Sequence, residues 1–228
     1  MRVFKSSWIC ASLMAICVLS ACILSRPVQA QNIGNNAVYT GTSCCTGTAA
    51  FIDAGILAQV NGTNICATIY NIFTSTTPAY PASGAVIDAR GVSSSAFTCT
   101  GTPWLQSGGS FANVPSTILL PAGTLAISQT WAMPSNTHLV GVGDSPTAGT
   151  ILQAASGFSG AMLQLGNASS PCCTAVSVEN LVLDGFGRRG VNGILNTTAQ
   201  DFSYVDHVSL YQILGTGLSG EAGSGAGA

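Results

Sequence analysis

Positive charge is almost missing from this chain. Only 6% of its 228 residues are charged, and lysine occurs once, at Lys5. Beyond residue 30 the cations are Arg90, Arg188 and Arg189; three arginines set against eight acids leave that stretch at a net −5. Nucleic-acid binding depends on neutralising backbone phosphates with Lys and Arg, so this balance excludes a nucleic acid as partner. Several catalytic signatures are missing too. The nucleophile elbow G-x-S-x-G is broken in both near matches, "GFSGA" from Gly157 and "GLSGE" from Gly217. No cysteines stand at C-x-x-C spacing and no histidine lies near any of them, which removes the usual zinc patterns. The one glycine pair resembling a phosphate loop, Gly141 and Gly143 in "PSNTHLVGVGD", leads into Pro146 and a β-prone run. A phosphate loop must open a helix, so these glycines read as a corner where the backbone turns.

What is present at the front is an export signal. Arg2 and Lys5 precede an apolar stretch from Trp8 to about Leu24, and "RPVQA" ends at the small Ala30. Cleavage there leaves a secreted chain with no membrane span. The stretch "LSAC" ending at Cys22 is the alternative, a lipid anchor, although Ile23 and Leu24 continue the apolar run. Six cysteines follow the signal: Cys44, Cys45, Cys66, Cys99, Cys172 and Cys173. An even set in an exported chain reads as disulfides. Adjacent cysteines seldom bond each other, so each pair is expected to reach elsewhere, for instance Cys44 or Cys45 to Cys66 or Cys99.

The remainder divides by character. Residues 31–115 read as an N-terminal segment and cap. Within them Ile65, Ile69, Ile72 and Phe73 recur at helical spacing behind Asn64, a good N-cap, which predicts one amphipathic helix covering the end of something larger. Over residues 116–212 short β-prone runs recur between Gly, Pro, Ser, Asn and Asp. "VENLVLDG" from Val178 and "VDHVSLYQ" from Val205 share V-acid-(N/H)-apolar-x-Leu, which points to a stacked solenoid. Tight two-residue hairpin signals are scarce, Asn192-Gly193 being one, which weighs against an antiparallel sandwich. In this register His207 takes the place of Asn180 one coil later, an inward-facing polar position at a coil corner. Asp201 and Asp206 flank the same strand. Residues 213–228 read as a flexible tail too small to seal an open coil, so further coils are expected beyond Ala228.

Leu119 to Ala155, "LLPAGTLAIS…WAMPSNTHLVGVGDSPTAGTILQAA", resembles the opening coils of pectate-lyase-like, right-handed parallel β-helix proteins (the pectin lyase fold). "GAVIDARG" from Gly84 and the helix before it are similar to the N-terminal cap of that family, and Asn180 matches a position its members often fill with a stacked asparagine. The glycine-aspartate-rich entry motif of many members is missing. The resemblance implies an all-β parallel β-helix with a capping helix, and a polysaccharide as partner. It also implies cleavage of an acidic or pectin-like chain by a lyase or a glycoside hydrolase, with Ca²⁺ as the cofactor a lyase uses. By the same resemblance, "LDGFGRRGVNGILN" from Leu183 lies beside the substrate groove, making Asp184, Arg188, Arg189 and Asn192 the candidate substrate-binding residues. Lyase chemistry needs a cation beside the uronate carboxylate and hydrolysis needs convergent carboxylates. No second acid is visibly paired with Asp184, and both arginines read equally as a solvated loop. A non-catalytic extracellular glycan-binding or adhesin-type β-helix is therefore the alternative, and no catalytic residue is assigned.

Overall fold

The structure is a computed structural model that describes residues 38–40, 50–56, 64–75, 80–81, 84–94, 97–106, 109–110, 115–166, 175–197, 199 and 202–220. The expected signal peptide, Cys22, Cys44, Cys45, Cys172, Cys173 and Asp201 lie outside them. The described chain is a parallel β-solenoid of about four turns. It has three faces, each a ladder of parallel strands contributed by successive turns.

On the first face β2 (Ala50–Asp53), β3 (Ala85–Asp88), β7 (Ser116–Leu119) and β10 (Thr137–Val140) pair in that order. The second carries β4 (Thr98–Cys99), β8 (Gly123–Ile127) and β11 (Thr150–Ala154). The third carries β9 (Trp131–Met133), β12 (Gly160–Leu165), β14 (Val191–Asn196) and β16 (Leu218–Gly220). Two longer strands, β13 (Ser177–Asp184) and β15 (Tyr204–Tyr211), bend at mid-length and serve both of the first two faces. The bends are Asn180 and His207, with left-handed φ of 55° and 48°. Short polar residues tolerate that conformation best, and histidine is enriched there as well. Small antiparallel pieces complete the set: β1 (Val38–Thr40) on β2, and the hairpin of β5 (Leu105–Gln106) and β6 (Gly109–Ser110).

Alternation within each strand sends one residue in and the next out. In-register stacking then turns the inward positions into aliphatic ladders. Ile87, Ile118, Leu139 and Val178 stack on the first face, and Leu125, Leu152 and Leu183 on the second. Trp131, Leu163 and Ile194 stack on the third, and all of these side chains are buried. Each fully buried side chain of this size contributes about 1.5–3 kcal/mol, so the ladders carry most of the stability.

One end is closed by α1 (Ile65–Phe73). Its N-cap is Asn64, whose Oδ1 accepts from the Ala67 N–H at 3.1 Å, and it buries Ile65, Ile69, Ile72 and Phe73 as the spacing predicts. The Asn64 amide also donates to Thr100 Oγ1 at 2.7 Å. Beside it the disulfide is Cys66–Cys99, not a bond from either residue to the Cys44–Cys45 pair. Helix position 66 and strand position 99 come to a Cα separation of 5.2 Å because α1 seats directly on β4, which makes them each other's nearest partner. Tyr80 ties the cap to the first face, donating to the Pro115 carbonyl at 3.0 Å and accepting the Ala85 N–H at 3.1 Å. Burial pushes its phenol up to about 12.

Ordered structure reaches past the expected boundary at residue 213: Leu218–Gly220 forms β16 and pairs with β14. Its inward position, Leu218, extends the Ile194 ladder, which is the reason this stretch joins the solenoid.

Candidate functional site

Most inward positions are apolar, and the polar ones, Ser116, Thr137 and Thr150, are buried, so chemistry is confined to outward positions and corners. Four outward residues in register on the first face are Thr117, His138, Ser177 and Tyr204. Beside them run Leu119, Val140, Glu179 and Asp206. The three latest turns thus bring His138, Ser177, Glu179, Tyr204 and Asp206 onto one outer surface, next to the corner made by Asn180 and His207.

The groups are tied together by hydrogen bonds. Ser177 Oγ donates to Glu179 Oε1 at 2.7 Å, and Tyr204 OH donates to the same oxygen at 2.8 Å. His138 Nδ1 sits 2.7 Å from Ser177 Oγ. Since the serine's one proton goes to the carboxylate, the tautomer with hydrogen on Nδ1 satisfies all three groups. Holding the carboxylate raises the Tyr204 phenol above its ordinary value. At the corner His207 Nδ1 lies 2.8 Å from Asp206 Oδ1, and that bond raises the imidazole above its ordinary range.

Serine, histidine and glutamate in contact invite a nucleophile reading, and the geometry rejects it. A triad histidine stands between serine and acid to take the serine's proton. Here serine stands in the middle, its proton directed at Glu179, and its side chain is fully buried. What stays open to solvent is a Tyr204 ring, the Asp206 carboxylate and the His207 imidazole, with Glu179 half-buried among them. Glu179 and Asp206 are register partners on adjacent strands, about 4.8 Å apart at the backbone. Each negative charge is held by its own donors, which is how the pair is accommodated.

The residues singled out from the sequence lie around the next corner. Asp184 ends β13 on the outer side of the second face, accepting from Gln153 Nε2 at 2.8 Å and the Phe186 N–H at 2.7 Å. Arg188 folds back on the previous turn, with Nε donating to the Ala154 carbonyl at 3.1 Å and its guanidinium over the Phe186 ring. Arg189 is exposed. Asn192 sits on β14 and its Oδ1 accepts the Thr216 N–H at 2.7 Å, buttressing the following turn. Asp184 and Arg188 thus share one tight corner, while Asn192 is engaged with the next coil. His207 holds the corner position equivalent to Asn180, as its place in the repeat predicts, but its side chain is 68% exposed and does not face inward. A left-handed residue at a sharp corner projects away from the core, which is the physical reason.

The register shared by Val178 and Val205 places Glu179 opposite Asp206, and that part of the site is readable from the sequence. The rest is hidden by spacing. His138 and Ser177 stand 39 residues apart, against 21 for Thr117 and His138, because a corner excursion at residues 141–149 and a longer return after β12 intervene.

Among the described residues no group of three or more His, Cys, Asp or Glu is placed to hold a metal ion. The Ca²⁺ that the family resemblance implies therefore finds no ligand set there, and no step is routed through it. Among the same residues no helix is long and apolar enough to cross a membrane. Compared with protein-family models, with curated proteins and with solved structures, the chain finds no match in any of the three.

Proposed function

We propose that this chain is an extracellular glycan-binding β-solenoid whose ligand lies on the outer surface formed by Tyr204, Glu179, Asp206 and His207. The observation that carries this reading is the hydrogen-bonded network spanning three successive turns. It presents fixed acceptors for sugar hydroxyls next to an exposed aromatic ring that can cover the apolar face of a pyranose. The resemblance of residues 119–155 to pectate-lyase-like proteins supports a polysaccharide as the ligand class, and the disulfide is compatible with an extracellular location.

The charge balance favours a neutral glycan over an acidic one. Among the described residues Arg90 is occupied by Asp88 at 2.7 Å and Arg188 is engaged with Ala154 and Phe186, which leaves Arg189 to meet a uronate. Asp184, Arg188, Arg189 and Asn192 remain the candidate contacts for an acidic chain. Binding measured across neutral and uronate-containing polysaccharides tests the assignment. Tyr204→Ala is expected to weaken binding to a neutral glycan at least tenfold. Retained affinity in that variant, together with lost affinity for a uronate polymer in an Arg188→Ala/Arg189→Ala double variant, would move the site to the arginine corner.

The pairing of Glu179 with Asp206 supports a second reading, glycoside hydrolysis, since two neighbouring carboxylates are what that reaction requires. Release of reducing ends without new ultraviolet absorbance, abolished in Glu179→Gln, is its signature. New absorbance from unsaturated uronates would indicate a lyase instead.

A further inference from the structure

Asn192 is followed by Gly193, and asparagine before glycine is among the least durable pairs in a polypeptide. The glycine nitrogen, once deprotonated, attacks the side-chain Cγ, because no Cβ shields it. The new N–Cγ bond expels Nδ2 as ammonia and closes a succinimide ring. Water then opens that ring at either carbonyl, leaving aspartate or, with the backbone rerouted through Cβ, isoaspartate. Nothing is oxidised or reduced, and water is the one co-reactant. The first step, loss of the amide proton, is the same one that hydrogen exchange reads.

In the folded chain both reacting groups are held by one residue of the next turn. Thr216 donates its N–H to Asn192 Oδ1 at 2.7 Å, and its carbonyl accepts the Gly193 N–H at 2.9 Å. The bonds beside them bind the same two segments: Gly215 N–H to the Val191 carbonyl at 3.0 Å and Ile194 N–H to the Gly217 carbonyl at 2.8 Å. The carboxamide is thus fixed on Thr216, and the glycine nitrogen keeps its proton. Asn192 also lies within β14, where an extended backbone holds the Gly193 nitrogen away from Cγ, and ring closure needs that geometry rotated. The Asn192 side chain is only half-buried, so hydrogen bonds and not exclusion of water provide the protection.

The fold has its own use for both residues. A Cβ on Gly193 would run into the Gly217 carbonyl oxygen and come within 3.0 Å of Leu210 Cδ2, and the Thr216 N–H requires an acceptor at position 192. We propose that Asn192 is a latent modification site, protected while residues 215–217 stay on β14 and converted to aspartate or isoaspartate when they lift away. The two products differ in consequence. Aspartate still offers an acceptor to Thr216 and leaves the ladder in place. Isoaspartate adds a carbon to the main chain before Gly193, so Ile194 loses its register with Leu163 and residues 215–217 have no matching edge to return to. A transient opening of this turn becomes a permanent one, recorded in the covalent structure.

Peptide mass mapping of the full chain, aged at mildly alkaline pH both native and in denaturant, tests this. Cleavage after Arg189 yields a peptide that holds Asn192 and excludes the other Asn-Gly pair, at Asn61. Conversion at Asn192 is expected to be about a hundredfold slower in the native chain than in the unfolded one. Thr216→Pro removes the donor to Oδ1 and is expected to raise the native rate about tenfold, in step with faster exchange of the Gly193 amide. Asn192→Asp is expected to keep the exchange protection of the Ile194 amide, which the isoaspartate form loses. Equal rates in the native and unfolded chains overturn the proposal. So does a native rate unmoved in Thr216→Pro while the Gly193 amide exchanges faster. If that variant does not fold, wild-type protein in sub-denaturing urea takes its place. Conversion must then rise together with Gly193 exchange, and conversion that stays flat as exchange rises overturns the proposal.

Discussion

Gly141 shows how one residue without a side chain holds two turns together. Its N–H donates to the Glu179 carbonyl at 2.8 Å, and a Cβ at this position would run into the Asn180 carbonyl oxygen and come within 2.8 Å of Thr150 Cβ. The need is for close approach, not for a special φ, since neither Gly141 nor Gly143 is left-handed, and a Cβ on Gly143 would meet open space. The sequence reading, in which both glycines let the backbone turn, is thus corrected to one glycine that lets two turns touch. Gly141→Ala should cost about 1–3 kcal/mol in urea denaturation while Gly143→Ala costs much less; equal costs would contradict the steric account. Asn180 is the complementary case, where backbone conformation decides. Asn180→Ala should lose about 1 kcal/mol and Asn180→Gly less, because only the former pays the left-handed penalty in full. His207 carries a pH consequence. Its folded pKa is raised by Asp206, so its stabilising effect is complete below the ordinary histidine value near 6.5 and fades as pH rises through the folded value. An NMR titration should find His207 above the ordinary midpoint, and Asp206→Asn should return it there; a midpoint unmoved by that substitution would remove the ion pair from the account.

At the scale of elements, α1 and β4 form one stapled unit. The Cys66–Cys99 bond closes a loop with a sequence separation of 33, worth about 4 kcal/mol in the chain-entropy account. Asn64→Ala should cost about 1 kcal/mol through the lost N-cap. Reduction should cost several times more, read as a lowered melting temperature of the cap end and early exchange of α1 amides; simultaneous loss of protection in β13 would show that the cap is not an independent unit. This helix was legible from sequence because its signal is local: a capping asparagine and four apolar residues at fixed spacing. The disulfide was not, because six cysteines give no distances, and only the seating of α1 on β4 selects the pair. The strands of the last turns were legible through the match of Val178 with Val205. The earlier turns carry no such match, since successive register partners are separated by 21 residues and then by 39. A solenoid fixes which positions face inward but leaves the corner lengths free, so a repeat obvious in space is irregular in sequence. The network of His138, Ser177, Glu179 and Tyr204 was out of reach for the same reason.

At the scale of the whole molecule, stability is a sum of turn-on-turn contacts, each turn touching only its neighbours. A cavity in a middle ladder should therefore be felt most. Leu152→Ala, between Leu125 and Leu183, is expected to lose about 2–5 kcal/mol, whereas Leu218→Ala at the exposed end should lose well under half of that, both read from denaturant midpoints. Comparable losses would argue against the stacked description. The excursion at residues 141–149 leaves the ladder after β10 and re-enters it at β11 with both flanking strands still in register. Gly143 N–H on the Asn180 carbonyl ties one end to the next turn, and Gly149 N–H on the Ser145 carbonyl closes the other within the loop, so both ends of the excursion are fixed. That makes the corner a socket. A foreign peptide spliced between Asp144 and Thr147 would be displayed beside the ladder, its height set by the strand spacing beneath it.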